Sequence, residues 1–324
     1  NIILNVVFLK YFKMEAEGVF FANVISSFSQ LFFLTGYFKY ITLKFSKSLL
    51  KEIFSHSLPY IPSSISSVVI QLIDRPIMML MLSSYAVGIY QANFRLSIFI
   101  NLIISMFDFA WRPFVMERLD RTDAKEIFKK VFDYFVVITI GIWLFLSLFI
   151  EDIVKISIGN AYLINPNYWS GLSVVPIIML AYFFNGLYVN FMIGSMITKK
   201  THYTMLANLI SAALSVSFNF ILIPKFSIYG AAFSVLISYM FLAVFMYMVN
   251  KKIYPIDYNI KKNLFLVFGA VVCFVSAKFV NIINPCLYQQ FKLFLILIFP
   301  LSIFAFGYFS KEEIQKLKNI LLNR

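Results

Sequence analysis

Long apolar stretches separated by short polar ones run along this chain, over 18–38, 57–82, 85–110, 130–150, 171–197, 204–223, 228–250, 263–283 and 288–309. Each is long enough for a helix to cross a hydrocarbon core, which takes about 20 residues. The pattern predicts an all-α, polytopic transmembrane helix bundle. Residues 1–12 read as the tail of one more span whose beginning is missing.

The charges between the stretches alternate. One set of connections carries Lys39, Lys44, Lys47 and Lys51, then Arg112, Arg118, Arg121, Lys125, Lys129 and Lys130. Lys199, Lys200, Lys251, Lys252, Lys261 and Lys262 follow, with Lys311, Lys316, Lys318 and Arg324 in the tail. The opposite connections hold only Lys10, Lys13, Lys155 and Lys225, and 151–170 also has Glu151 and Asp152. By the positive-inside rule the first set, the C-terminal tail included, is cytoplasmic. Only Arg75, Arg95, Lys278 and Lys292 fall within apolar stretches.

Composition fits this reading. The chain is 61% hydrophobic and 13% charged, against about 25% charged in soluble domains. A formal charge of +13 would suggest nucleic acid in a soluble protein. Here the cations sit in short membrane loops, where topology and contact with anionic membrane lipid explain them and no nucleic acid is needed. Cys273 and Cys286 have no metal or disulfide spacing and read as apolar fillers. His56 and His202 are too few for a metal cluster, so no metal or cofactor is implied.

Pro59 and Pro62 open the 57–82 span among Ser57, Ser63, Ser64, Ser66 and Ser67. They allow either a capped, mildly kinked helix or a gating hinge. Segment 112–129, with Glu117, Arg118, Asp120, Arg121, Asp123, Lys125 and Glu126, reads as a short amphipathic cytoplasmic helix. Segment 151–170 reads as an irregular external turn. A short repeat links "GVFFANVIS" (Gly18–Ser26) to "GAAFSVLIS" (Gly230–Ser238), each after a Lys-containing external turn and each running toward a basic segment. Parallel repeats of this kind occur in transporters.

Ionised groups at bilayer depth cost at least about 2.5 kcal/mol and normally face water or a bundle interior. Gln71, Asp74 and Arg75 lie in one span and Asn93, Arg95 and Asp108 in the next, joined by a tight turn at Ser83–Tyr85. Arg75 and Arg95 fall roughly 10 and 15 Å from the external end, so antiparallel neighbours would bring both guanidiniums to one aqueous cavity suited to a phosphate or pyrophosphate. The alternative is that Asp74 and Arg75 neutralise other helices while Arg95 snorkels. Asp108 and Arg112, four apart, form either an inner gate or an interfacial anchor beside Trp111. Lys278 and Lys292, near outer span ends, read as snorkelling. No HExxH, P-loop, GxSxG or CxxC array is present, so the chain does not read as an enzyme.

The segment "LIDRPIMMLMLSSYAVGIYQANFRLSIFINLIISMFDFAWRPFVME" (Leu72–Glu117) resembles the seventh and eighth spans of bacterial polysaccharide and O-antigen repeat-unit flippases. These belong to the MOP superfamily with the MATE exporters and the peptidoglycan lipid flippase. The matching features are Asp74-Arg75, Ala86-Val87-Gly88-Ile89-Tyr90, Ala92…Arg95 and Trp111-Arg112-Pro113-Phe114. Phe218–Tyr239 and the stretch from Leu4 to Ser26 are similar to the family's paired-span pattern.

The resemblance implies a MATE-like fold of two six-span lobes with the first incomplete. Residues 1–38 would be spans five and six, 39–56 a cytoplasmic inter-lobe linker, 57–250 the second lobe, and 251–324 two added spans and the tail. Roughly four and a half N-terminal spans would be missing. The implied activity is transfer of an undecaprenyl-pyrophosphate-linked glycan across the bacterial plasma membrane, with Arg75 and Arg95 at the headgroup and Asp74 orienting Arg75 or coupling to H+ or Na+. A polysaccharide polymerase and glycosyltransferases are the implied protein partners. The alternatives are a cation-coupled drug or metabolite exporter of the same fold, and a noncatalytic scaffold for glycan assembly.

Overall fold

The computed structural model describes residues 1–36, 45–158, 161–305 and 308. It is all-α apart from one two-residue antiparallel pairing, Ser157–Ile158 with Ala161–Tyr162. The chain divides into two compact units, Asn1–Phe54 and Ser55–Arg324. Among the described residues six helices are long and apolar enough to cross a membrane, or seven when a bent pair counts as one span. The protein is a multi-pass membrane bundle. The last part of the tail, 309–324, and residues 37–44, which include the first part of the expected 39–56 linker, lie outside the described residues.

The first unit holds α1 (Ile2–Val6), a π turn (Val7–Tyr11) and α2 (Ala16–Leu34); α3 (Lys47–Ser57) carries the division. Lys13, at φ 52°, reverses the chain. Gly18 then passes so close to the preceding helix that a Cβ there would lie 3.1 Å from Phe8 Cβ. Gly230, its partner in the sequence repeat, sits after Ser227 at φ 53° and passes α11 closer still. A Cβ on Gly230 would be 2.3 Å from the Leu222 carbonyl oxygen. Both halves of the repeat therefore encode one local device, a left-handed turn residue and then a glycine that lets two helices touch. Gly230→Ala should lower stability by about 1–3 kcal/mol, because the obstacle is backbone and cannot rotate away; thermal unfolding in detergent measures it.

The second unit begins with α4 (Tyr60–Leu72) and α5 (Asp74–Met81), one span bent by 40°. The bend falls at Ile73, not at Pro59 or Pro62. Pro59 precedes the first turn of α4 and Pro62 lies within it, where backbone N–H groups have no helical partner in any case. Pro76 supplies the cause: it has no N–H for the Leu72 carbonyl, and its ring crowds that carbonyl. Next come α6 (Ser84–Leu96) and α7 (Ile98–Met116), interrupted at Ser97, where the sequence pattern suggested one uninterrupted span.

α8 (Ala124–Val154) runs for 31 residues. The charged segment 112–129 forms no separate amphipathic helix: its start ends α7 and its last six residues open α8. Only a turn remains between α7 and α8, closed by Arg121 on Asp123 at 2.8 and 2.9 Å and by Arg118 on Glu117. In that exposed turn the Arg121 guanidinium holds the Asp123 carboxyl below its ordinary range. A 3₁₀ segment (Pro166–Val174) leads into α9 (Val175–Phe191) and α10 (Ile193–Ile197). α11 (His202–Phe226) and α12 (Ile228–Ile253) follow.

Small residues set the packing here. Gly186 on α9, Ala207, Ser211 and Ser215 on α11, and Ala231, Ala232, Ser234 and Ser238 on α12 are all buried, and they let α9, α12, α11 and α4 stack in that order. Ser234 and Ser238 return their hydroxyls to the carbonyls of Gly230 and Ser234, so their burial leaves no orphan donor. Large apolar side chains such as Ile65, Phe109 and Phe268 face outward, as lipid permits.

α13 (Ile260–Ile283) and α14 (Pro285–Ala305) pack on α8. Asp133 near the start of α8 accepts the Asn259 and Asn263 amides at 2.8 and 2.5 Å. At the other end Glu151 pairs with Lys278, and Asp152 with Lys292. These lysines are thus helix-to-helix ties, not snorkelling cations. Lys292 is 1% exposed and lies 4.9 and 4.5 Å from the Phe149 and Tyr288 ring centroids. Neither cysteine is in a disulfide.

Candidate functional site

The turn at Leu82–Ser83 folds α5 and α6 back on each other, and the Ser83 hydroxyl caps α6 through the Ala86 N–H at 3.2 Å. Residues equally far from Leu82 on the two strands of this hairpin meet. Asp74 and Tyr90 stand in that relation. The Tyr90 hydroxyl donates to Asp74 Oδ2 at 2.7 Å, and both residues are fully buried. Asp74 is the first residue of α5, immediately after the break, where free helix N–H groups favour negative charge. Its second oxygen, Oδ1, is buried without a hydrogen-bond partner.

Arg75 points about 100° away around the helix. It is half-buried, donates through Nη1 to the Gln71 carbonyl at 3.2 Å, and lays its Cζ 4.9 Å from the Phe94 ring centroid. That cation–π contact contributes about 0.5–2 kcal/mol. The ring contacts continue from Phe94 to Tyr90 and Tyr182, and from Tyr182 to Tyr239 on α12. Gln71 is half-buried on the same bent span. The structure therefore gathers Gln71, Asp74 and Arg75 with Tyr90, Phe94, Tyr182 and Tyr239. The Tyr239 hydroxyl is buried beside the Gln71 side chain.

The other predicted residues lie elsewhere. Arg95 is exposed and makes no hydrogen bond or ion pair among the described residues. The residue before it meets Arg75, and consecutive helical side chains diverge by about 100°. Asn93 is fully buried, and its Nδ2 donates to the Ile89 and Tyr168 carbonyls, each at 2.8 Å. It clamps α6 to the 3₁₀ segment, where a Cβ on Gly171 would lie 2.4 Å from Asn93 Nδ2. Its amide hydrogens are therefore committed to structure.

Asp108 and Arg112 form the bidentate i,i+4 pair on α7, with both contacts at 2.8 Å. The pair borders an open depression of about 650 Å³ with Ser105, Phe109 and Pro113. Trp111 is buried among Phe107, Phe114 and Phe128 and does not lie at an interface as an anchor. Tyr188 of α9, near the pair, takes the Asn208 amide on its hydroxyl at 3.0 Å.

Chemically, a buried carboxylate with one hydroxyl donor and one open oxygen can take up a proton or a single cation. The adjacent guanidinium can bind an anion. Among the described residues no three His, Cys, Asp or Glu side chains gather as metal ligands. Tyr90→Phe should cost about 1–3 kcal/mol, because it removes the one side-chain hydrogen bond that Asp74 receives; thermal unfolding in detergent measures the loss. No protein-family model matches this chain, and no curated protein matches it either.

Proposed function

We propose that the protein moves polyprenyl-pyrophosphate-linked oligosaccharide units from the inner to the outer leaflet of the bacterial plasma membrane. In this reading the basic connections and the tail are cytoplasmic, residues 57–250 are the second lobe of a two-lobe transporter, and 251–324 add two spans and the tail. The observation that carries it is the state of Arg75. Its carboxylate neighbour is bonded to Tyr90, and the guanidinium gives one hydrogen bond to a carbonyl and enters no ion pair. Most of its five N–H donors stay available for an anionic headgroup. Exposed Arg95 is a further cation on α6, next to the Phe94 ring that meets Arg75. In this proposal the glycan and pyrophosphate pass along Arg75 while the polyprenyl tail stays in lipid. Rocking of the lobes alternates access.

The test is deletion of the gene followed by complementation. The expected result is loss of surface glycan with accumulation of lipid-linked oligosaccharide on the cytoplasmic face, both reversed by the gene. Unchanged surface glycan in the deletion strain would overturn the proposal. The open oxygen of Asp74 favours a second reading, a cation-coupled exporter of drugs or metabolites. Proton-coupled export of organic cations that Asp74→Asn abolishes would support it.

A further inference from the structure

An apolar pocket of about 120 Å³ opens between α8, α9, α12 and α13, away from the Asp74 cluster. Phe184 and Leu187 of α9, Val244 and Tyr247 of α12, and Leu264 and Val267 of α13 line it. Val244 and Leu264 are more than half exposed, so the pocket opens to the outer surface of the bundle at a depth lipid chains occupy. Two lysines stand at its basic-side rim. Lys251 lies one helical turn beyond Tyr247 and on the same face of α12. Lys261 lies three residues before Leu264 on α13, likewise on one face. At 1.5 Å per residue each ammonium-bearing residue is roughly 5–6 Å along its helix from the pocket lining.

Both lysines are exposed, and neither forms a hydrogen bond or ion pair among the described residues. Asp257, the acidic residue of the intervening connection, pairs with neither. Asp133 lies near the pocket, but its two oxygens are occupied by the Asn259 and Asn263 amides. Two unneutralised cations thus sit one turn below an apolar slot that opens to lipid.

We propose that this slot binds an anionic glycerophospholipid of the leaflet on the basic side, with one acyl chain in the pocket and the phosphate between Lys251 and Lys261. The site rests on the multi-pass membrane reading and on neither the direction of the protein nor glycan transport. A bound lipid would bridge α12 and α13 and so fasten the α13–α14 pair to the rest of the bundle.

Native mass spectrometry of the purified full chain tests this, after exchange into equimolar phosphatidylglycerol and phosphatidylcholine of matched chains. Phosphatidylglycerol should be retained preferentially. Each of Lys251→Gln and Lys261→Gln should reduce that preference roughly fivefold, the contribution of one lysine near an anionic headgroup, and the double variant should lower it further. Glycerophosphoglycerol, which has no acyl chain to enter the slot, should not be retained. Equal retention of the two long-chain lipids, or full retention by the double variant, would overturn the site. Displacement of phosphatidylglycerol by an equimolar polyprenyl phosphate would overturn the choice of occupant. The assay is indifferent to leaflet and to translocation, so its failure leaves the transport proposal standing, and the reverse holds too.

Discussion

Asp152→Ala should lower the unfolding free energy by about 1–3 kcal/mol, because Lys292 is enclosed while Asp152 is 43% exposed, which places the pair between a surface and a buried one. Lys292 is almost wholly enclosed, at 1% exposure, with Asp152 as its ion-pair partner and two aromatic rings beside its ammonium. Removing the carboxylate leaves the charge buried with the rings alone, and cation–π contact offsets only about 1–2 kcal/mol of that cost. Lys292→Met in the same background should recover most of the loss, since a Met side chain fills the site without charge. Glu151→Ala gives the contrast. Both members of that pair are about a third exposed, so its loss should cost under about 1 kcal/mol. Thermal unfolding of the purified proteins in detergent measures all three. Equal effects at Asp152 and Glu151 would show that burial of Lys292 does not control how α14 is held on α8.

Combined Arg75→Gln and Arg95→Gln should reduce surface glycan by at least about tenfold, with insertion and abundance unchanged. A charge-assisted hydrogen bond is worth about 1.5–3 kcal/mol, and each lost factor of ten is about 1.4 kcal/mol. One lost guanidinium contact to pyrophosphate is thus enough for that effect. Arg75 should carry more of it, because Phe94 and the Gln71 carbonyl hold its guanidinium in place. Exposed Arg95 pays the full entropy of ordering on contact. Substitutions across 117–123 separate this reading from a scaffold for glycan assembly. They should leave glycan display intact here and abolish it if the turn between α7 and α8 recruits a polymerase or transferase. Immunoblot of membranes and glycan staining of whole cells read the outcome.

Much of this architecture is legible in the pattern of apolar stretches, because a helix in lipid must be uniformly apolar over its length. The repeat is legible too, since Gly18 and Gly230 stand where helices touch and a Cβ would crowd the neighbouring helix. Asp74 was visible as a charge in an apolar run. Its partner was not. Tyrosine is common in membrane helices, and Tyr90 gains meaning only when the turn at Leu82 is known to set it opposite Asp74. The same geometry explains Arg95: depth along a helix can be counted in sequence, but azimuth decides contact, and Phe94 takes the position facing Arg75. The paired prolines Pro59 and Pro62 draw the eye in the sequence, but a proline distorts the turn before it, so Pro76 is the one that bends the span. The partners of Lys278 and Lys292 lie 127 and 140 residues away, beyond any local sequence pattern.

Reconstitution offers the most direct measurement. The intact protein is placed in vesicles whose fluorescent polyprenyl-pyrophosphate oligosaccharide starts in one leaflet, and a membrane-impermeant glycosidase reports its arrival in the other. Protein-dependent transfer is expected, falling by at least about tenfold with Arg75→Gln and Arg95→Gln. Transfer no faster than in protein-free vesicles, or equally fast in the double variant, would contradict the proposed function.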